Sequence, residues 1–280
     1  MSKPSQPATL VTYRITPRRA VAVPRLRIAL FTDLHACTRV MEGPRIDALV
    51  DQTNALGADM ILLLGDYSGH LFGCKPLEPA DVAARLARLT APSGVFAVFG
   101  NHDWRDDPGA IATLSPTVWH SAFDAAGIAT LNNATTALTH DGIPFTLAGL
   151  DSQRVAKPFW GKEWTGADDL PAVAAALDPE RFTLLMAHEP DIFPELPGHV
   201  DLTVCGHTHG GQIAPFGKPL VVPSRFGTRY AYGRFVSGTR QMVVSGGLGY
   251  TDIPVRIGRP PEITLLDIAG SAVGAAEAQT

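Results

Sequence analysis

A chain of 280 residues, 45% hydrophobic and 18% charged, can form one large domain or two small ones around a sizeable core. Its formal net charge of -4, with Lys and Arg scattered along the chain, gives no electrostatic footprint for nucleic acid and argues against sequence-specific base reading. The three cysteines, Cys37, Cys74 and Cys205, are too few and too far apart for a disulfide framework or a thiolate zinc cage; as small buried fillers they fit a reducing compartment.

Residues 1–25 place Pro4, Pro7, Pro17 and Pro24 around the β-branched stretch from Leu10 to Ile15, which predicts a flexible start and an added edge strand. Arg18 and Arg19 invite comparison with a twin-arginine export signal, but the following AVAV is cut off by Pro24, Arg25 and Arg27, so no usable apolar region follows. No stretch approaches the ~20 apolar residues of a membrane span. The simplest expected location is the cytoplasm, with peripheral attachment to a membrane as the alternative, for which no polybasic or amphipathic feature speaks.

From Arg27 the chain alternates short apolar runs with amphipathic stretches, the pattern that builds a parallel or mixed sheet covered by helices. In GPRIDALVDQTNALG, Ile46, Leu49, Val50, Thr53 and Leu56 fall at helical spacing, Pro44 suits a first turn and Gly57 a stop. Further helices are expected near Pro79 to Leu89, Val118 to Ala126 and Asp168 to Leu177, with Tyr67 to Pro79 and Trp104 to Pro116 as loops. After about Gly206 the Gly, Pro, Tyr and β-branched composition predicts hairpins, and residues 269–280 read as a frayed tail. No linker divides the chain, so residues 26–268 form a single expected domain.

The informative pattern lies where the apolar runs end. RIALFTDLH closes on Asp33 and His35, MILLLGD on Asp66, VFAVFGNHD on Asn101, His102 and Asp103, FTLLMAH on His188, and DLTVCGHTH on His207 and His209. Parallel strands in an open α/β sheet deliver their carboxyl ends to one edge, where ligand sites form. Each residue alone has an ordinary explanation: Asp33 or Asp66 as a helix cap, Asn101 in a turn, His188 as a satisfied core histidine. The conjunction does not, because five of the nine histidines fall at these ends. The other four, His70, His120, His140 and His199, read as surface or loop residues.

Two carboxylates, one amide oxygen and four imidazoles, without thiolate, suit Mn, Fe, Zn or Co better than Ca, Mg or a structural zinc. That is too many donors for one tetrahedral ion, and they divide between two ions roughly 3.5 to 4 Å apart with a bridging carboxylate. Two dications keep net positive charge after two aspartates, so they attract an anion, with phosphate oxygens as the obvious candidates.

The ordered blocks Asp33-Leu34-His35, Gly65-Asp66, Gly100-Asn101-His102-Asp103, His188 and Gly206-His207-Thr208-His209 resemble the signature of the calcineurin-like metallophosphoesterase superfamily. The C-terminal stretches GHTHGGQIAPFGKP, YAYGRFVSG and VVSGGLGYTDIPVRIGRPPEITLL resemble the bacterial phosphodiesterase branch related to UDP-2,3-diacylglucosamine hydrolases. The resemblance implies an α/β fold, a four-layer α-β-β-α sandwich of two mixed β-sheets flanked by helices, with a dinuclear metal site at the carboxyl strand ends. It implies one divalent ion on Asp33, His35 and His209, a second on Asn101, His188 and His207, and Asp66 bridging. His102 is implied to be the catalytic group, hydrogen-bonding the phosphate and protonating the leaving alkoxide.

One departure stands out. Many relatives carry an aspartate three residues after the one matching Asp66, where it orients the catalytic histidine; Gly69 stands there instead. Asp103, next in sequence to His102, is one substitute. The expected activity is phosphodiester hydrolysis by in-line attack of a metal-bridging hydroxide, with phosphomonoester hydrolysis and a non-catalytic metal-binding scaffold as the alternatives. The expected partner is a small-molecule or lipid-linked phosphodiester. Phe159, Trp160 and Trp164 among Arg154, Lys157 and Lys162 form a candidate wall for a lipid-like or glycosyl phosphate, or simply pack a long loop.

Overall fold

The computed structural model describes residues 6–157 and 164–271. Twelve strands follow in chain order: β1 (Thr9–Ile15), β2 (Leu26–Phe31), β3 (Met60–Leu64), β4 (Val95–Val98), β5 (Ala129–Thr130), β6 (Ala134–His140), β7 (Ile143–Gly149), β8 (Phe182–Met186), β9 (Leu202–Cys205), β10 (Gly233–Ser237), β11 (Arg240–Val244) and β12 (Glu262–Ile268). They form two mixed six-stranded sheets, ordered β1-β12-β2-β3-β4-β5 and β10-β11-β9-β8-β7-β6. In the first, β2, β3, β4 and β5 run parallel and β12 pairs antiparallel with β2. In the second, β7, β8, β9 and β11 run parallel, flanked by antiparallel β6 and β10.

The period-two alternation of side chains explains why the central strands are apolar throughout. On β2, Leu26, Ile28 and Leu30 face the second sheet while Ala29 and Phe31 face the outer helices. On β8, Phe182, Leu184 and Met186 fill the space between the sheets, and Leu185 packs outward. Over the first sheet lie α1 (Gly43–Asn54), α2 (Pro79–Leu86) and, further along the chain, Val118–Ala125. Val173 of Leu170–Ala175 and Ile192 and Phe193 of the 3-10 turn Pro190–Glu195 cover the second.

Helix α4 (Pro108–Thr113) lies within the stretch Trp104 to Pro116 expected to be loop, and α3 (Asn101–Arg105) runs two residues into it, with Val118–Ala125 then α5 and Leu170–Ala175 α6. Both are too short to display a hydrophobic period, and local capping makes them. The Asp103 carboxylate accepts the Gly100 N–H at the start of α3, and the Asp107 carboxylate accepts the Ala110 N–H at the start of α4 with Pro108 in the first turn. The expected hairpin is β10–β11, but β12 leaves it and enters the other sheet, tying the chain's end to β1 and β2. Ala269 and Ser271 still donate to Ile15 and Val23 carbonyls; the remainder of the expected tail lies outside the described residues. Among the described residues, no helix is long and apolar enough to cross a membrane.

Leu184, wholly buried between the sheets, sits in the layer that holds β8 against the first sheet. Leu184→Ala is expected to lower unfolding free energy by about 3 kcal/mol in urea titration, and a loss below about 1 kcal/mol would contradict a close-packed inter-sheet layer.

Candidate metal centre

The loops after β2, β3 and β4 in one sheet meet those after β8 and β9 in the other along a shared edge. Asp33 and His35 follow β2, Asp66 follows β3, Asn101 and His102 open α3 after β4, His188 follows β8, and His207 and His209 follow β9. The seam is hydrogen-bonded across the sheets: the His207 N–H donates to Asp33 Oδ1 at 2.9 Å, and His188 Nδ1 donates to the Leu64 carbonyl at 2.7 Å. All the expected ligand residues and His102 therefore lie at one centre, and all but Asn101 are buried.

Tight turns bring these side chains inward. Asp33, His35, Asp66, His207 and His209 all have left-handed backbone, with φ between 49° and 71°. Such a conformation costs about 1 kcal/mol or more for a residue with a Cβ, and Asp, Asn and His tolerate it best. Two glycines permit the close approach: a Cβ on Gly100 would collide with the Asp66 carboxylate, and one on Gly206 with Thr32 and Asp33. The cost of the fold here is thus met by residue types chosen for the turn as well as for chemistry.

The imidazoles are held with one nitrogen committed and the other aimed inward. His35 Nδ1 lies 3.0 Å from the Ser68 carbonyl, His188 Nδ1 is on Leu64, and His207 Nε2 lies 2.9 Å from the Pro223 carbonyl. A ring nitrogen facing a carbonyl carries its proton, which leaves His35 Nε2, His188 Nε2 and His207 Nδ1 as inward donors. His35 Nε2 faces His209 Nε2 at 2.9 Å, and His207 Nδ1 faces His188 Nε2 at 3.2 Å. Asp66 Oδ2 stands between the two pairs, 3.1 Å from His188 Nε2 and 3.6 Å from His35 Nε2, while its Oδ1 accepts the His102 backbone N–H at 2.8 Å.

Burial lowers His35 to about 4 and, with the nearby His188 charge, His207 to about 3, so both rings are neutral bases at physiological pH. Burial also raises Asp33 to about 6, with His188 opposing that rise and Asp66 adding to it. Burial opposes charge on His188 and Asp66 alike, yet their mutual attraction wins, raising the one and lowering the other. Metal-free, the centre is a cluster of mutually crowded donors.

Three donor groups each span no more than 4.8 Å: Asp33, His35 and His209; Asp66, His188 and His207; and His35, Asp66 and His102. Asn101 adds the sharpest indication of fit, since its Oδ1 is buried without any hydrogen-bond donor. An orphaned amide oxygen suits a cation, which requires lone pairs and no proton.

Further residues stand near the centre, of which Arg256 carried no signal in the sequence. Arg256 is fully buried, donating to the Gly246 and Gly249 carbonyls, and its guanidinium lies 3.0 Å from His209 Nδ1. Arg154 approaches His207 Nε2 at 3.3 Å and stacks its guanidinium 4.7 Å from the Trp164 ring centre. Phe159, Trp160 and Lys162 lie outside the described residues. Asp103 does not touch the His102 ring; its carboxylate accepts the N–H groups of Asp66, Tyr67, Ser68 and Gly100 at 2.7–3.0 Å and fixes the loop after β3. His70, expected to be a surface or loop residue without a role, contacts His102, and His120 is a half-buried member of α5 packed on Phe99 rather than a loop residue.

A family model described as calcineurin-like phosphoesterase matches residues 26–211, which contain every one of these donors. This chain belongs to the calcineurin-like phosphoesterase family. Its relatives include the uncharacterized metallophosphoesterase YkuE of Bacillus subtilis, 32% identical over 186 residues, 65% of this chain and 59% of that protein. Phosphodiesterase YaeI of Escherichia coli is 30% identical over 268 residues, 92% of this chain and 87% of that protein. The chain spans about three fifths of YkuE's length. Among solved structures, the NAD nucleotidase NadN of Haemophilus influenzae shares the fold at a TM-score of 0.50, with 18% identity over 80% of this chain and 45% of that one. Calcineurin-like phosphoesterases use divalent metal ions, and the donors present here fit such ions.

Because the bare cluster is crowded and a cation relieves it, Mn(II) at about 100 times its dissociation constant is expected to add about 2.7 kcal/mol of stability. Thermal unfolding with Mn(II) and with chelator reads the difference. Asp66→Asn should abolish most of the gain; equal stabilisation of parent and variant would place the ion elsewhere.

Proposed function

We propose that the protein is a phosphodiesterase that cleaves a phosphodiester with two divalent ions, held by Asp33, His35 and His209 and by Asn101, His188 and His207, with Asp66 shared. The observation that carries this reading is the position of Asp66 Oδ2 between His188 and His35, which makes Asp66 a member of two of the donor groups at once. The orphaned Asn101 Oδ1 supports the second group. Bound divalent ions supply charge neutralisation for the phosphate oxygens and lower the pKa of a water to that of a useful nucleophile.

The chain's own residues do the rest. The carbonyl-anchored rings of His35 and His207 hold their lone pairs in place before any ion arrives, and His188 is held by Leu64 in the same way and gives up its inward proton when an ion binds, so little reorganisation is needed at the moment of reaction. A phosphorus–oxygen ester bond breaks as oxygen from water joins phosphorus, and the departing alkoxide needs a proton. His102 is placed to give it, because its Nδ1 faces His70 and its Nε2 is the nitrogen left over. Burial holds the His102 ring well below the usual imidazole range in the ion-free protein, and an anionic diester beside it favours the protonated form.

Diester preference over monoester draws support from the named activity of YaeI, whose match extends over 92% of this chain. The Arg154–Trp164 pair beside His207 offers a cation and an aromatic face to the part of a small-molecule or lipid-linked diester that does not react.

Reconstituted with Mn(II) or Zn(II), the protein should hydrolyse an aryl phosphodiester faster than the matching monoester; a wide margin for the monoester would overturn the diester reading. Asp66→Asn should cost more in kcat than the roughly 100-fold reached by losing a residue that only supports a ligand. Undiminished activity in that variant would remove the shared-carboxylate mechanism.

A further inference from the structure

The departure at Gly69 has a structural reason. Gly69 lies against the loop that carries His35: a Cβ built on it would collide with the His35 carbonyl, and the Ala36 carbonyl is 2.8 Å away. The Ser68 carbonyl meanwhile accepts from His35 Nδ1, and Ser68 forms a β-bridge with Ala36. An aspartate has no room at this position, so whatever orients the His102 ring comes from elsewhere.

The next residue supplies it. His70 Nδ1 lies 3.1 Å from His102 Nδ1, and the two ring centres are 5.2 Å apart. On its far side His70 Nε2 lies 2.8 Å from Asp106 Oδ1. Asp106 is the residue that closes α3, the helix that opens with Asn101 and His102. Its other oxygen, Oδ2, accepts from the Ser68 hydroxyl and from the Trp119 indole N–H at 3.1 Å, so the carboxylate is anchored by α5 as well.

The proton directions follow from the acceptor at the end of the row. A carboxylate only accepts, so His70 Nε2 carries a proton toward Asp106. A neutral imidazole protonated on Nε2 has a bare Nδ1, which accepts the proton on His102 Nδ1. His102 is then held twice, its backbone N–H on Asp66 Oδ1 and its ring on His70, and its Nε2 is turned to the substrate side.

We propose that His70 and Asp106 act as positioning residues that fix the ring and tautomer of His102, taking the place of the aspartate that Gly69 excludes. The proposal rests on the reading of His102 as the proton donor in phosphodiester hydrolysis. Neither residue touches the substrate. The same geometry explains why α3 is retained as a helix of only five residues: one turn sets Asp106 beside His70 while His102 points into the centre.

The test uses the full chain loaded with Mn(II) and an aryl phosphodiester. His70→Ala should lower kcat by about 10- to 100-fold with KM within about 2-fold and metal content equal to the parent's. His70→Gln, whose amide accepts from one side and donates on the other, should recover part of the loss. In a His102→Ala background, His70→Ala should cost nothing further, because there is no ring left to position. An unchanged kcat in His70→Ala, or an equal loss in both backgrounds, would overturn the proposal.

A second readout does not depend on turnover. Nitrogen-15 spectra of histidine-labelled, zinc-loaded protein report which ring nitrogen of His102 is protonated. The parent should show His102 protonated on Nδ1, and His70→Ala and Asp106→Asn should lose that fixed tautomer; an identical spectrum in the variants overturns the relay. If the parent hydrolyses no phosphoester at all, the functional reading fails while these spectra still decide whether His70 orients His102.

Discussion

The Asp66 carboxylate is the point on which the site depends. It is buried where the two sheets meet, with His188 and His35 within reach of one oxygen and the His102 backbone N–H on the other. A buried carboxylate costs several kcal/mol unless it is paired or hydrogen-bonded. Here the compensation comes from three separate chain segments, after β2, β4 and β8, so the carboxylate can be satisfied only if both sheets are assembled in register. Folding and site formation are therefore one event rather than two.

The supporting layer is made of backbone more than of side chains. Carbonyls of Leu64, Ser68 and Pro223 fix three imidazoles, and the Asp103 carboxylate gathers four N–H groups from the loops after β3 and β4. Backbone groups at strand ends have no ladder partner, so they are free for this use, and their positions are set by the strands behind them. The left-handed turns at the five ligand residues are the corresponding strain, sustained because the surrounding structure leaves no relaxed alternative. Local stability is exchanged for donors that are already aimed.

The arrangement of the sheets explains why the donors are buried although they stand on loops. Each ligand residue lies just past the carboxyl end of a central strand, with apolar side chains of β2, β3, β8 and β9 packed behind it. On the loop side of the centre stand Arg154, Trp164 and His70. The outer loops can thus vary in composition and change what is admitted without disturbing the donors themselves.

The donors were legible in the sequence because their positions are local: an apolar run followed at once by Asp, Asn or His marks a strand end, and five such ends in order left little room for coincidence. The main helices were legible through their periodicity. Helices α3 and α4 were not, being too short for a period and held by capping carboxylates. His70, Asp106 and Arg256 carried no local signal, since the partners that give them meaning are 32, 36 and 47 residues away in the chain. The sequence by itself determined the family and the candidate donor set, because side-chain type and strand-end position are properties of short segments. Only the tertiary structure decided which ring nitrogens face inward and that Gly69 leaves no room for an aspartate, because both depend on close approaches between loops from different strands.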